Sequence, residues 1–318
     1  MIARDNGFHE VVGIVADANV SAAALNQALG YRTVHAGAVP PGILSVMGID
    51  PASVAREVLI MHPDAERGGI RLISLAGEPS ALMRDGAQAW DSGAIFDINI
   101  RSLNDIEQLH RALGAAGYRA SAPIADWQFG ALAVREVVET DMDGLCIALM
   151  QRVCPALQGY EGIGGNASWV FNSTQIVTDF DAARALFVDH LGWQPAQETD
   201  GFAGNEGGVN CMGLPPSVAS GIPMRIGIYH PHGRMEGSVE IISFGCGGHD
   251  FSHARPPQRG WAALRFPVTN LGSFRDAMRA AGAELSGVLE VDWAPYGRTE
   301  MVAAVTPWGA RFEALRLL

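Results

Sequence analysis

The sequence predicts an α+β protein made of two tandem halves, each of two paired βαβββ units. Two observations carry this: the chain repeats itself over a long period, and each copy divides again into a strand, a helix and three further strands. The stretch HEVVGIVADANVSAAALNQALGY, His9 to Tyr31, returns 162 positions later as FNSTQIVTDFDAARALFVDHLGW, Phe171 to Trp193. Asp17 falls on Asp179, Leu29 on Leu191, Gly30 on Gly192 and Tyr31 on Trp193. The offset then widens by six residues, so that His62-Pro63 meets His230-Pro231. Such a period in 318 residues means two halves of ordinary domain size.

The elements follow in order. Val11 to Val15 read as a strand, and Ser21 to Leu29 place apolar residues at helical spacing before Gly30, a natural helix stop. YRTVHAG, REVLIMHP and IRLISLAG supply three strands. A second unit opens with GAIFDINIRS, which alternates as a strand should, continues through the helical LNDIEQLHRALGAAGY to Gly117, and ends in ALAVREVVET and LCIALMQR around the turn DMDG. The second half mirrors this, with Gly117 matching Gly282, Gly144 matching Gly309, and Asp126-Trp127 matching Asp292-Trp293. The expected division is a first domain over 1–153, with units at about 8–77 and 93–152, and a Gly-rich linker over 154–166. A second domain over 167–318 holds units at about 169–245 and 260–318.

Composition sets the class. Apolar residues make up 48% and charged residues 18%, as in a compact soluble protein. No apolar run is long enough to span a bilayer, and MIARDNGFHE lacks the apolar region of a secretory signal. The four cysteines form no CxxC pair, which reads as reduced thiols in a cytoplasmic protein. A net charge of −12 without a basic cluster excludes a nucleic-acid partner. A small-molecule substrate remains, for a monomer or homodimer.

VADANVSAAALNQALGY and VTDFDAARALFVDHLGW resemble the strand–helix–LG(F/Y/W) opening of the vicinal oxygen chelate superfamily, and YGRTEMVAAVTPWGARFEAL resembles its closing hairpin. That superfamily includes glyoxalase I, methylmalonyl-CoA epimerase, extradiol dioxygenases, and the bleomycin and fosfomycin resistance proteins. The resemblance covers nearly the whole chain. It implies that paired units curl a mixed sheet into an open barrel around a cavity, with helices on the outer face. It also implies that a divalent metal is held from the first and last strands of each unit. Fold alone does not name a chemistry.

Carried onto this chain, the family's ligand positions fall on Glu10, Arg71, Ile95 and Ala148 in the first half. In the second they fall on Asn172, Glu240, Ala263 and Glu313. The first set is no metal site, and Glu10 is expected to pair with Arg71. The second set could hold a hard cation, Mg²⁺ or Mn²⁺, weakly through Glu240, Glu313 and Asn172. It lacks the imidazoles of an iron site, so iron is not expected. Period-2 alternation adds Arg265 beside Ala263 and Thr174 beside Asn172. Arg265 with Glu240 and Glu313 reads in two ways. It is either a satisfied buried ion-pair network, or a catalytic set in which Arg265 orients a substrate oxygen and Glu313 or Glu240 accepts a proton. Asp97, Asn99 and Arg101 line up in the first half as a polar face or a solvent-facing edge.

Other residues invite a role. Trp293, Tyr296 and Arg298 are candidates for substrate binding, with Trp127 as the first-half counterpart of Trp293. His249 and His253 have ligand-like spacing in a Gly- and Pro-rich loop, read as surface, lid or metal ligand. The two His-Pro pairs suit strand ends, where His can bond a free carbonyl.

The expected function is proton transfer on an oxygen-bearing metabolite, by an isomerase, epimerase or lyase, in a cavity of the C-terminal half. The alternatives are a metal-free small-molecule binding protein and a ring-cleaving dioxygenase.

Overall fold

The computed structural model describes residues 7–129, 131–231 and 234–318. Four βαβββ units are present. The first holds β1 (Glu10–Ile14), α1 (Ala18–Leu29), β2 (Arg32–Ala38), α2 (Pro41–Met47), β3 (Ala55–Met61) and β4 (Gly69–Leu75). The second holds β5 (Asp97–Ser102), α3 (Ile106–Ala115), β6 (Arg119–Ala120), β7 (Ala125–Phe129), β8 (Leu132–Thr140) and β9 (Cys146–Cys154). The third runs through β10 (Ala167–Ile176), α4 (Phe180–Ala185), β11 (Gln194–Phe202), α5 (Pro216–Ala219), β12 (Pro223–His230) and β13 (Ser238–Phe244). The fourth has β14 (Gly260–Pro267), α6 (Leu271–Ala280), β15 (Glu284–Leu285), β16 (Leu289–Trp293), β17 (Gly297–Val305) and β18 (Arg311–Leu317).

The repeated residues have a local physical cause. Asp17 and Asp179 are helix N-caps whose carboxylates accept the free amides of the first turns of α1 and α4. The Asp105 carboxylate and the Asn270 side-chain amide oxygen accept in the same way for α3 and α6. Each such cap is worth about 1 kcal/mol, because those amides have no partner inside the helix. Gly30 and Gly192 take positive φ, 73° and 69°, a region that side chains with a Cβ avoid. Tyr31 and Trp193, just after them, are buried. α4 differs in continuing as a π-helical turn over Leu186–His190.

The four units make two curved mixed sheets of nine strands each, and their pairing corrects an expectation. The first sheet joins the first unit to the fourth, through β1 antiparallel to β14. The second joins the second unit to the third, through β5 antiparallel to β10. The expected 1–153 and 167–318 halves do not each close a sheet of their own. The chain crosses from one sheet to the other over residues 76–96 and returns over 245–259. These crossovers lie side by side, bridged at Leu82–Arg259 and Ser92–Asp250. Every unit offers the same kind of opening strand, so the repeat says how many units exist but not which ones meet.

Strand alternation sorts side chains between two faces. Val11, Leu72, Ile98, Ile100, Leu264 and Phe312 face the helices and share one core with α1, α3, α6 and the π-helical turn. Helices of the two sheets pack on one another there, α1 on α3 and α6 on the π-helical turn. The opposite faces carry separate clusters. In the first sheet α2 fills that face together with Trp293, Tyr296 and Met301. In the second, Trp127, Cys211, Met212 and Met224 gather on it. No helix is long and apolar enough to cross a membrane among the described residues.

Candidate functional site

Two inner faces are therefore possible sites, and they differ in chemistry. On the first sheet, Glu10 sits opposite Arg265 on β14, and Arg265 opposite Glu313 on β18. Arg71 on β4 donates to Glu10 Oε1 at 2.8 Å and Oε2 at 3.0 Å. Arg265 donates to Glu10 Oε1 at 2.8 Å and Glu313 Oε2 at 2.6 Å. Arg311 takes the remaining Glu313 oxygen at 3.0 Å, and Arg71 also meets Glu57 at 2.9 Å. Trp293 lies against both guanidinium groups, 4.4 Å from Arg71 Cζ and 4.7 Å from Arg265 Cζ. The Tyr296 hydroxyl donates to Glu10 Oε2 at 2.9 Å. Although burial alone would raise the Glu10 carboxyl, Arg71 and Arg265 hold it down to about 2. Glu313 is lowered likewise by Arg265 and Arg311, against burial.

This face is an alternating ion-pair chain at 0% exposure for Glu10, Arg71, Arg265 and Glu313, capped by aromatic rings. Each oxygen of Glu10 and Glu313 already accepts a guanidinium donor. The positions carried over from the family do not fit an ion here, because Arg71 occupies one of them and the Arg265 guanidinium lies between Glu10 and Glu313. The expected pairing of Glu10 with Arg71 is present, and Arg265 is ion-paired, with Glu313 and Glu10 rather than with Glu240.

The expected site is thus split between two sheets. Asn172 and Glu240 lie on the second sheet, whereas Arg265 and Glu313 lie on the first. A metal set of Glu240, Glu313 and Asn172 cannot assemble, and no group of three or more His, Cys, Asp or Glu is placed for a metal among the described residues. Trp293 and Tyr296 are buried in the apolar cluster on the first sheet's inner face. Arg298 is exposed and pairs with Glu290 at 2.5 Å. His249 and His253 are exposed on the returning crossover, which forms a loop and contributes nothing to the second sheet's cavity. The strand positions facing Glu10 and Asn172 are Arg265 and Asn99, not Ala263 and Ile95. Bulges in these strands shift a count made by spacing.

The second sheet's inner face is open, around a cavity of about 230 Å³. Asp97 on β5, Thr174 on β10 and Glu240 on β13 form one row across adjacent strands. Glu136 on β8 faces the same space, with its carboxyl 3.5 Å from the Cys211 thiol. Asn99 bridges Asp97 at 3.1 Å and Thr174 at 2.9 Å. None of the three carboxyls has an ion-pair partner among the described residues. Burial raises Asp97 to about 7, against hydrogen bonds from Thr174. Burial and the Asp97 charge raise Glu136 to about 7. Glu240 is pushed well above the usual carboxylate range by burial, then by Glu136 and Asp97. Like charges sharing one space oppose one another's ionisation, so the three carboxyls titrate as a coupled set.

Arg101, Arg152 and His230 occupy another part of the lining. Burial lowers the pKa of each. Trp127, Met150, Met212 and Met224 supply apolar walls. The two repeated histidines therefore differ in role. His62 accepts the Asp64 amide in a turn, and only His230 reaches the cavity. Reading along the sequence missed Glu136, Arg152 and the role of Arg101. The alternation of Asp97, Asn99 and Arg101 was the available signal. A second cavity, of about 270 Å³, opens beside α6 and the π-helical turn, lined by Phe187, Trp193 and Phe266 without a carboxylate.

No protein-family model matches the sequence, and no curated protein matches it. Solved structures do. The chain is similar to glyoxalase I from Zea mays, with a TM-score of 0.61 at 11% identity over 98% of this chain and 92% of that one. It is also similar to a putative dioxygenase from Bacillus subtilis subsp. subtilis str. 168, with a TM-score of 0.58 at 13% identity over 99% and 86%. Together with the two curved sheets, these likenesses show that the chain shares the tandem βαβββ fold of these two structures.

Proposed function

From that fold, we propose that this chain is a small-molecule enzyme that moves a proton on an oxygen-bearing metabolite held in the second sheet's cavity. The observation that supports this most is the cluster of Asp97, Glu136 and Glu240: three carboxyls lining one cavity, Asp97 and Glu240 buried and Glu136 half-buried, without ion pairs among the described residues, where Glu10 and Glu313 of the other sheet are fully paired. A buried carboxyl left without a cation costs folding stability, and such groups concentrate where proton transfer is needed.

The roles follow from the two kinds of environment. Glu240, whose carboxyl is shifted toward its protonated form by burial and then by Glu136 and Asp97, donates to a carbonyl or hydroxyl oxygen of the ligand. Asp97, poised near 7, accepts the proton released from the adjacent carbon or oxygen. The proton leaves the substrate for the Asp97 carboxylate as the Glu240 proton reaches its oxygen, giving an enol-like intermediate. Return of a proton to a different atom or face completes an isomerisation or epimerisation, and loss of a leaving group completes a lyase reaction. Asn99 keeps Thr174 and Asp97 in register.

The test is solvent deuterium incorporation, followed by NMR, into a panel of small α-hydroxy and α-oxo acids. Exchange catalysed by the wild type and lost in Asp97→Asn and Glu240→Gln supports the reading. A ligand that binds saturably with no exchange supports the alternative, a binding protein. The methionine-rich wall and exposed Phe202 near the cavity favour that second reading over ring cleavage.

A further inference from the structure

Arg101 is the most unusual cation in the molecule. It is 2% exposed on β5, yet makes no ion pair among the described residues. Its Nε has no hydrogen-bond partner among the described residues, and its two terminal nitrogens meet the thioether sulfurs of Met150 and Met235. Thioethers are weak acceptors, far short of what a guanidinium needs. The Phe171 ring lies 4.0 Å from its Cζ and the Tyr160 ring 5.7 Å, so the head is stacked but not neutralised. Burial and then repulsion from nearby Arg101 lower the pKa of Arg152, whose Nε is also unpartnered among the described residues. Tyr160 and then Glu236 are the groups that add attraction for Arg101. Both arginines line the cavity that holds the three carboxyls.

A buried, unpaired guanidinium is destabilising unless something outside the chain satisfies it. In the first sheet the same fold pairs its buried arginines with glutamates, so the missing carboxylate at Arg101 is not a general property of the scaffold. We infer that Arg101 and Arg152 bind the oxyanion of the ligand, a carboxylate or phosphate group carried on a compact apolar body. Guanidinium groups recognise such anions through paired, charge-assisted hydrogen bonds.

The arrangement also orients the ligand. Asp97 and Arg101 are four residues apart on one strand face, so their backbone positions are about 13 Å apart. Methionine side chains and Trp127 line the space and suit an aryl or branched alkyl group. The anionic end is held at the arginines and the oxygen to be protonated lies toward Glu240. The ligand class rests on the proposed proton-transfer site, which shares the same cavity.

The test uses three probes of nearly equal shape, phenylacetate, phenylphosphonate and the neutral phenylacetamide, with wild type, Arg101→Met and Glu240→Gln. Calorimetry and thermal unfolding are the readouts. One or both anions should bind wild type at least tenfold more tightly than the amide, and which anion wins separates carboxylate from phosphate. Arg101→Met should lose that preference. Without ligand it should melt about 2 °C above wild type, because a buried charge with no partner is gone. A lower melting temperature for ligand-free Arg101→Met would overturn the inference, since the cation would then be structural. Equal binding of the amide, or no binding of either anion at millimolar concentration, would also overturn it. Amide binding that depends on Glu240 would leave the proton-transfer reading standing while removing the oxyanion. Anion binding unaffected by Glu240→Gln, with no deuterium exchange, would keep the oxyanion and remove proton transfer.

Discussion

Replacing Glu10 by Gln tests whether the first sheet's ionic face is structural. Glu10 accepts from Arg71, Arg265 and the Tyr296 hydroxyl, and its side chain is fully buried. Gln keeps the volume, removes the charge and turns one acceptor into a donor aimed at guanidinium donors. The carboxyl is held at about 2 instead of its ordinary 4.5, which corresponds to about 3 kcal/mol of stability at pH 7. Breaking a buried pair by removing one partner costs a similar amount, about 3–5 kcal/mol. For a chain of this size, 3 kcal/mol is a drop in melting temperature of about 4–5 °C. The pH dependence has a definite sign. A lowered folded pKa contributes stability above the unfolded value, and that stability is lost as pH falls from about 4.5 toward 2. The gap between wild type and Glu10→Gln should therefore be full at pH 7 and close by about pH 2. The assay is urea and thermal unfolding across that range, with anion binding measured in parallel. A shift under about 2 °C, or lost binding with unchanged stability, would refute the reasoning and move the working site to the first sheet.

Glu313→Gln should likewise act on stability, by about 3 kcal/mol, and leave ligand binding in the second sheet intact, as equilibrium unfolding and calorimetry will show. Glu240→Gln should do the reverse. Its carboxyl is raised, so it favours folding only below the unfolded pKa, and the amide should leave the melting temperature at pH 7 unchanged or higher while turnover is lost. Exchange activity should follow an apparent pKa near 7, from Asp97 and Glu136 acting together, and a flat pH–rate profile between about 5.5 and 8.5 would count against them. Cys154 is exposed, whereas burial holds Cys146 and Cys211 as protonated thiols, so a thiol reagent should label Cys154 first and those two only on unfolding. Fragments 1–153 and 167–318 expressed alone should lack cooperative unfolding, because each leaves β1 or β14, and β5 or β10, without its partner strand. A cooperative melt of either fragment would contradict the observed pairing.

Local and periodic features were legible in the sequence. Asp17 and Asp179 as caps, Gly30 and Gly192 as left-handed stops, and the alternation that puts Glu10, Arg71, Asn172 and Glu240 on inner faces all depend on neighbours a few residues away. That range of interaction is what a repeat preserves, so the four units could be read from it. Which units share a sheet was decided by tertiary structure. Equivalent opening strands compete for the same antiparallel partner, and nothing within one strand tells β1 to choose β14 over β5. The choice moved Glu313 and Arg265 away from Glu240 and Asn172, turning one imagined site into a closed ionic core and an open acidic cavity. It also gave Glu10 two arginines and left Arg101 without an ion pair among the described residues. Charge balance at a buried position is set by residues far apart in the chain, and only the fold brings them within a few ångströms.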